Sequence, residues 1–252
     1  MKKSKKAELF YKSLSNDFDV PTDSVSEKML GEYGAFFIAG NGAISPNKVV
    51  FENEREVSDW QKNVKSSKAI IAGFEIELQT AAMKALKKAI KEAKENNLTI
   101  TPRGADSARR SYAETVELWA SRVIPALLHW VEKGKITESQ AEKIRTLSPF
   151  EQVPEIFKLE AKGIFFSKDL SKSIIYSVAP PGTSQHLSML ALDVKEHADA
   201  EVRKILERHD WFQTVISDLP HFTFLGIPEK ELEKLGLKKI IDDGRDFWIP
   251  DL

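Results

Sequence analysis

The residue types of a catalytic metal site gather in the last third of the chain. His186 and Asp193 lie seven positions apart in SQHLSMLALDV, and His221 follows Asp218 by three in SDLPHFTFLG. On one continuous helix His186 and Asp193 would stand two turns apart, about 10 Å along the axis, too far to share an ion. On a loop that leads into a strand they can converge. A strand over 189–194 turns Met189, Ala191 and Asp193 to one face and Leu190, Leu192 and Val194 to the other, so the carboxylate projects away from the apolar side. Pro220 holds Leu219 extended, and the strand after it points His221, Thr223 and Leu225 to one face. Two neutral imidazoles and one carboxylate suit a catalytic zinc, which keeps a fourth position for water and brings the pKa of that water towards about 7. A further carboxylate must then take the proton and pass it to the leaving amine. Asp218 is the candidate, its other reading being a turn cap ahead of Pro220.

The elements that must position these residues follow from periodicity. FEIELQTAAMKALKKAIKEAKENN places Leu78, Ala82, Leu86, Ile90 and Ala93 on one stripe with lysines opposite, which predicts a surface helix. LTITP reads as a short strand, and SYAETVELWASRVIPALLHWVEKG as a helix that Pro125 kinks or splits. Thr137 with Gln140, and Ser148 with Glu151, have capping-box spacing, the second with Pro149 at the first helical position. After Gly163 the runs GIFFS, SIIYSVA, MLALDV and HFTFLGI read as strands, with the helix ADAEVRKILERHD between the last two. The pattern predicts an α+β fold in a single domain over 1–252, with 1–97 a mainly helical elaboration and 98–252 the arginine segment and zinc-site core.

Composition removes several classes. The chain has 252 residues, 42% of them hydrophobic, enough for a substantial core. Lys and Arg number 37 against 38 Asp and Glu, so no net field attracts nucleic acid, and no nucleic-acid partner is expected. No protein partner can be inferred. With no Cys, a metal must be held by His and carboxylate. The start MKKSKKAELFYKSLSNDF has a basic cluster but polar residues where a signal peptide is apolar. The expectation is a soluble chain without export signal or membrane span, placed in the periplasm or cell envelope if a signal has been removed and in the cytoplasm otherwise. His129, His197 and His209 read as packed, hydrogen-bonded residues.

SQHLSMLALD resembles the SxHxxGxAxD signature of the zinc D-Ala-D-Ala metallopeptidases, which share a fold with lysostaphin-type peptidases and the hedgehog domain. Ser184, His186, Ala191 and Asp193 fall on its fixed positions. DLPHFTFLG is similar to the second motif, ExxH before a short strand, with Asp218 in place of Glu, and Met189 stands where the family has Gly. The resemblance implies zinc on His186, Asp193 and His221, a base at Asp218 and a central antiparallel sheet that carries the metal. It also implies a catalytic arginine in a YRS motif, for which TITPRGADSARRSYAET offers three: Arg110 before Ser111 matches best and is the expected one, Arg103 just past the strand end is the reserve, and Arg109 is expected to face solvent. Ser184 either caps local backbone or touches substrate, and Trp211 is either core or a wall of the pocket. The activity implied is that of a D-alanyl-D-alanine carboxypeptidase acting on peptidoglycan stem peptides or their precursors. An endopeptidase with the same zinc, and a non-catalytic zinc-containing binding module, are the alternatives.

Overall fold

The computed structural model describes residues 5–252; the first four residues of the basic start lie outside the described part. The elements are, in chain order, α1 (Lys5–Ser13), α2 (Ser24–Tyr33), α3 (Glu54–Asn63), β1 (Ser66–Ile71), β2 (Phe74–Gln79), α4 (Thr80–Glu95), α5 (Tyr112–Glu132), α6 (Glu138–Thr146), α7 (Gln152–Glu160), β3 (Ala191–Asp193), α8 (Ala200–Arg208), β4 (Trp211–Phe212), β5 (His221–Phe224), α9 (Glu229–Leu232), β6 (Leu237–Asp242) and β7 (Arg245–Pro250). The fold is α+β, as the sequence pattern implies. No helix among the described residues is long and apolar enough to cross a membrane.

The chain divides into two compact units. One comprises Met1–Val49, Ser58–Arg110 and Gln185–Leu252, the other Val50–Val57 and Ser111–Ser184. In the first unit three short strands form an antiparallel sheet in the order β3-β5-β4. An extended stretch joins its edge at a single bridge, Pro102 to Val194, flanked by Lys195 N–H to Thr101 O and Arg103 N–H to Asp193 O. This is the LTITP segment that reads as a strand. Pro102 lacks an N–H and occupies the position that needs none, so the pairing stays local. Trp211, Phe212, Phe222 and Phe224 are buried on the sheet, while α4 turns Ala82, Met83, Leu86, Ala89 and Ala93 inward and packs on α8.

The helix read over FEIELQ is a strand instead. Phe74, Ile76 and Leu78 alternate with Glu75 and Glu77, and β2 pairs with β1 in register from Ser66–Gln79 to Ile71–Phe74. Ala72 and Gly73 between them both have positive φ, the conformation of a tight hairpin turn. Two adjacent strands outweigh a helical stripe that truly begins only at Thr80.

The second unit is helical. α5 runs unbroken past Pro125 and starts at a capping box, Ser111 with Glu114, while α6 starts at the expected box of Thr137 and Gln140. Glu151 accepts from Ser148 as its spacing requires, but α7 begins only at Gln152. GIFFS and SIIYSVA are not strands. Their backbone donors go to nearby carbonyls and to Glu160: a 3₁₀ turn forms over Ile174–Tyr176, Ser167 N–H donates to Lys172 O, Glu160 accepts from Phe166 N–H and Ile174 N–H, and between the two runs Ser167 Oγ accepts from Ser171 N–H and Lys172 N–H. The apolar residues Ile164, Phe166, Ile174 and Ile175 are still buried. Gly182 has φ 78°, and a Cβ there would fall 1.8 Å from Phe51 O, so no other residue fits the PGTS turn without moving backbone.

Candidate metal centre

β3 and β5 are in register with Ala191 opposite Thr223 and Asp193 opposite His221. Residues directly opposite one another share a face, so the carboxylate and the imidazole project side by side from neighbouring strands. His186 arrives from the 3₁₀ turn Gln185–Ser188 that precedes β3. Met189 closes that turn at φ 57°, in the left-handed region that favours the glycine of the resembled signature, at a cost of about 1–2 kcal/mol for a side chain. Two glutamines clamp the turn. Gln61 Nε2 donates to Leu187 O and Arg110 O, and Gln79 donates from its N–H to Met189 O and from Nε2 to Ser188 O.

His186, Asp193 and His221 bring one ligand atom each within 4.8 Å of one another. Asp193 Oδ1 is 3.4 Å from His186 Nε2 and 3.4 Å from His221 Nδ1. The two rings cross at 80° with centroids 4.8 Å apart. Their outer nitrogens are taken: His186 Nδ1 lies 2.7 Å from Ala108 O, and His221 Nε2 lies 2.9 Å from Gln185 Oε1. A carbonyl oxygen only accepts, so both outer nitrogens carry the proton and both inner nitrogens present lone pairs. His186 Nε2 and Asp193 Oδ1 are buried without a hydrogen-bond partner. Lone pairs that face one another in a buried pocket call for a cation, and this trio could hold a metal ion.

The charges agree. Burial pushes His186 down, towards the neutral form a metal ligand needs. Arg110 Nη2 donates to Asp193 Oδ2 at 2.9 Å and its Nε donates to Asp106 O, so one face of the carboxylate is compensated and the face towards the histidines is not.

The remaining sequence candidates are distributed as follows. Arg103 follows the Pro102–Val194 bridge opposite Asp193, on the same face, and is exposed. Arg109, expected in solvent, is 46% exposed but donates to Gln61 Oε1 and pairs with Glu77. Asp218 is exposed in the turn before β5, where its carbonyl accepts from His221 N–H; its carboxylate is not among the three converging groups. Trp211 pairs with Phe224, on the face turned away from His221 and Thr223, and is fully buried, which makes it core rather than a wall of the metal pocket. Ser184 is the last residue of the second unit and is half-buried. His209 is packed against Glu92 at 2.7 Å, and His197 receives Arg245 and Arg203 on its carbonyl. Sequence reasoning passed over Gln185, Gln61 and Gln79. Gln79 ends an alternating apolar run and Gln185 precedes one, which is their one signal, Gln61 in a polar helix gives none, and the partners lie up to 152 positions away.

No protein family, no curated protein and no solved structure matches the chain.

Proposed function

We propose that this chain is a zinc-dependent peptidase that hydrolyses D-alanine-containing peptides, as a D-Ala-D-Ala carboxypeptidase on peptidoglycan stem peptides or their precursors. The observation that carries the metal part is the buried meeting of His186 Nε2, Asp193 Oδ1 and His221 Nδ1. Two ligand atoms each about 2.0–2.1 Å from a tetrahedral zinc stand about 3.3 Å apart. Both histidine-to-aspartate separations are 3.4 Å. The substrate class comes from the resemblance of SQHLSMLALD and DLPHFTFLG to the metallopeptidase motifs.

When bound, the ion would supply a Lewis acid and lower the pKa of water at the site. The chain supplies the rest. His186, Asp193 and His221 would hold the ion, with Arg110 fixing the orientation of Asp193 through Oδ2. Asp218 takes the proton of the attacking water on a carboxylate oxygen and delivers it to the nitrogen of the leaving D-alanine. Arg103, on the metal face and without a hydrogen bond or ion pair of its side chain among the described residues, binds the substrate carboxylate or the carbonyl oxygen as it gains charge.

A second reading, a non-catalytic zinc-containing binding module, is favoured by one feature: Asp218 is one methylene shorter than the Glu of the resembled motif and lies exposed in its turn. Zinc content of the purified chain, followed by an amine-release assay on a D-Ala-D-Ala peptide, separates the two. About one zinc per chain with release of D-alanine is expected. Zinc without release on any D-amino-acid peptide selects the binding module, and a chain that takes up no zinc defeats both.

A further inference from the structure

We propose that Gln185 is the positioning residue that fixes which nitrogen of His221 faces the metal, an inference that rests on the metal reading above. Gln185 is 2% exposed, and its amide reaches four groups of the first unit. Nε2 donates to Tyr33 O at 2.7 Å, a carbonyl that can only accept, and to Thr214 Oγ1 at 3.2 Å. These two bonds set the orientation of the amide and leave Oε1 turned to His221 Nε2 at 2.9 Å.

The protons of the network can be followed one by one. Thr214 Oγ1 receives from Gln185 and donates to Thr223 Oγ1 at 2.7 Å, and Thr223 Oγ1 donates its own proton to Gln185 Oε1. Each hydroxyl then gives once, and both lone pairs of Oε1 are used, one by Thr223 and one by His221. Every group is consistent only if His221 carries its proton on Nε2. In the other tautomer two lone pairs would meet at the Gln185–His221 contact, inside a region where Thr214 and Thr223 are completely buried. Gln185 therefore presents Nδ1 bare to Asp193, and it does so as a neutral acceptor that adds no charge to the site. It stands directly before His186, so the turn that delivers the first histidine also sets the tautomer of the last ligand, 36 positions further on.

The test has two arms. In the metal-free wild-type chain, at a pH where imidazole is neutral, long-range ¹H–¹⁵N correlation should show His221 protonated on Nε2; a proton on Nδ1 overturns the proposal without any variant. In the second arm, zinc affinity is measured by competition with a chelator. Gln185→Met, which keeps the length and removes the acceptor, should bind zinc about 10–100-fold more weakly. Gln185→Glu, which keeps an oxygen for His221, should bind within about threefold of wild type or more tightly, a rescue that a purely packing role does not give. A folded Gln185→Met with wild-type affinity overturns the proposal, and should that variant fail to fold, the tautomer of the wild type decides. Absence of zinc binding by the wild type defeats the metal reading, whereas the tautomer measured in the metal-free chain still decides the role of Gln185.

Discussion

Arg110 Nη2 holds Asp193 Oδ2 at 2.9 Å while the other oxygen of that carboxylate faces both histidines. Both side chains are nearly buried, at 15% and 13% exposure, so the guanidinium is committed to the ligand set. Arg110→Lys keeps the charge and loses the fixed fork, and zinc affinity should fall about 10–100-fold. Arg103→Lys should leave zinc affinity unchanged and alter kcat or KM on a D-Ala-D-Ala peptide. Chelator competition and steady-state kinetics on both variants check this, and equal zinc affinity for Arg110→Lys and wild type would return Arg110 to a direct role at the substrate.

Removal of a ligand should empty the site. His186→Ala is expected to lose the zinc measured by elemental analysis, while circular dichroism stays that of the folded chain. Full zinc occupancy in that variant would mean that the ion sits elsewhere.

Asp218→Asn tests the proton carrier. Since Asp218 is outside the converging trio, zinc content should stay at the wild-type level. Turnover should drop by about two to four orders of magnitude. An unchanged rate assigns the proton transfer to another group.

Glu207 gives a pH dependence of stability away from the metal. Burial, with Glu229 and Asp246 close by, pushes its carboxyl from 4.5 up to about 7. The folded state then holds the proton more tightly than the unfolded chain, so the favourable contribution is complete below about pH 4.5 and is lost as pH rises through about 7. Glu207→Gln should raise Tm at about pH 8 and leave it nearly unchanged at about pH 4. The same Tm difference at both pH values would rule out Glu207 as the source.

In the second unit Glu160 takes the place of a strand ladder, accepting from Ile174 N–H, Phe166 N–H and Ser173 Oγ. Hydrogen bonds to a charged group contribute about 1.5–3 kcal/mol each, and they are shared here, so Glu160→Ala should cost about 3–5 kcal/mol in urea unfolding. A loss below about 1 kcal/mol would show that the 163–178 segment is held by its apolar residues alone.

The metal face was legible because a strand has a period of two. Asp193 and His221 each carry the polar side of a short apolar run, and Pro220 marks where the second strand begins. The cap at Thr137 was equally local. Legibility ended where a partner came from far along the chain. FEIELQ reads as helix until β1 is seen to pair with it, and GIFFS and SIIYSVA read as strands until Glu160 is seen to take the amide protons of Phe166 and Ile174 and a 3₁₀ turn to form over Ile174–Tyr176. Gln185 sits inside the motif that marks the site, yet its use depends on Tyr33, Thr214 and Thr223. Arg110 answered to spacing, but which atom it holds did not.

Because Asp193 and His221 are opposite partners in one ladder, separation of the strand pair parts the two ligands. Local opening of β3 from β5 would then release an ion, and an ion held by both side chains would oppose that opening. The exchange of the Val194 backbone amide hydrogen, which bonds Pro220 O beside this pair, would slow in proportion to ion concentration over its dissociation constant. A one-residue slip of the same pair would turn His221 to the opposite face and dismantle the site without breaking the sheet, so occupancy by the ion would also police the register in which the strands zip together.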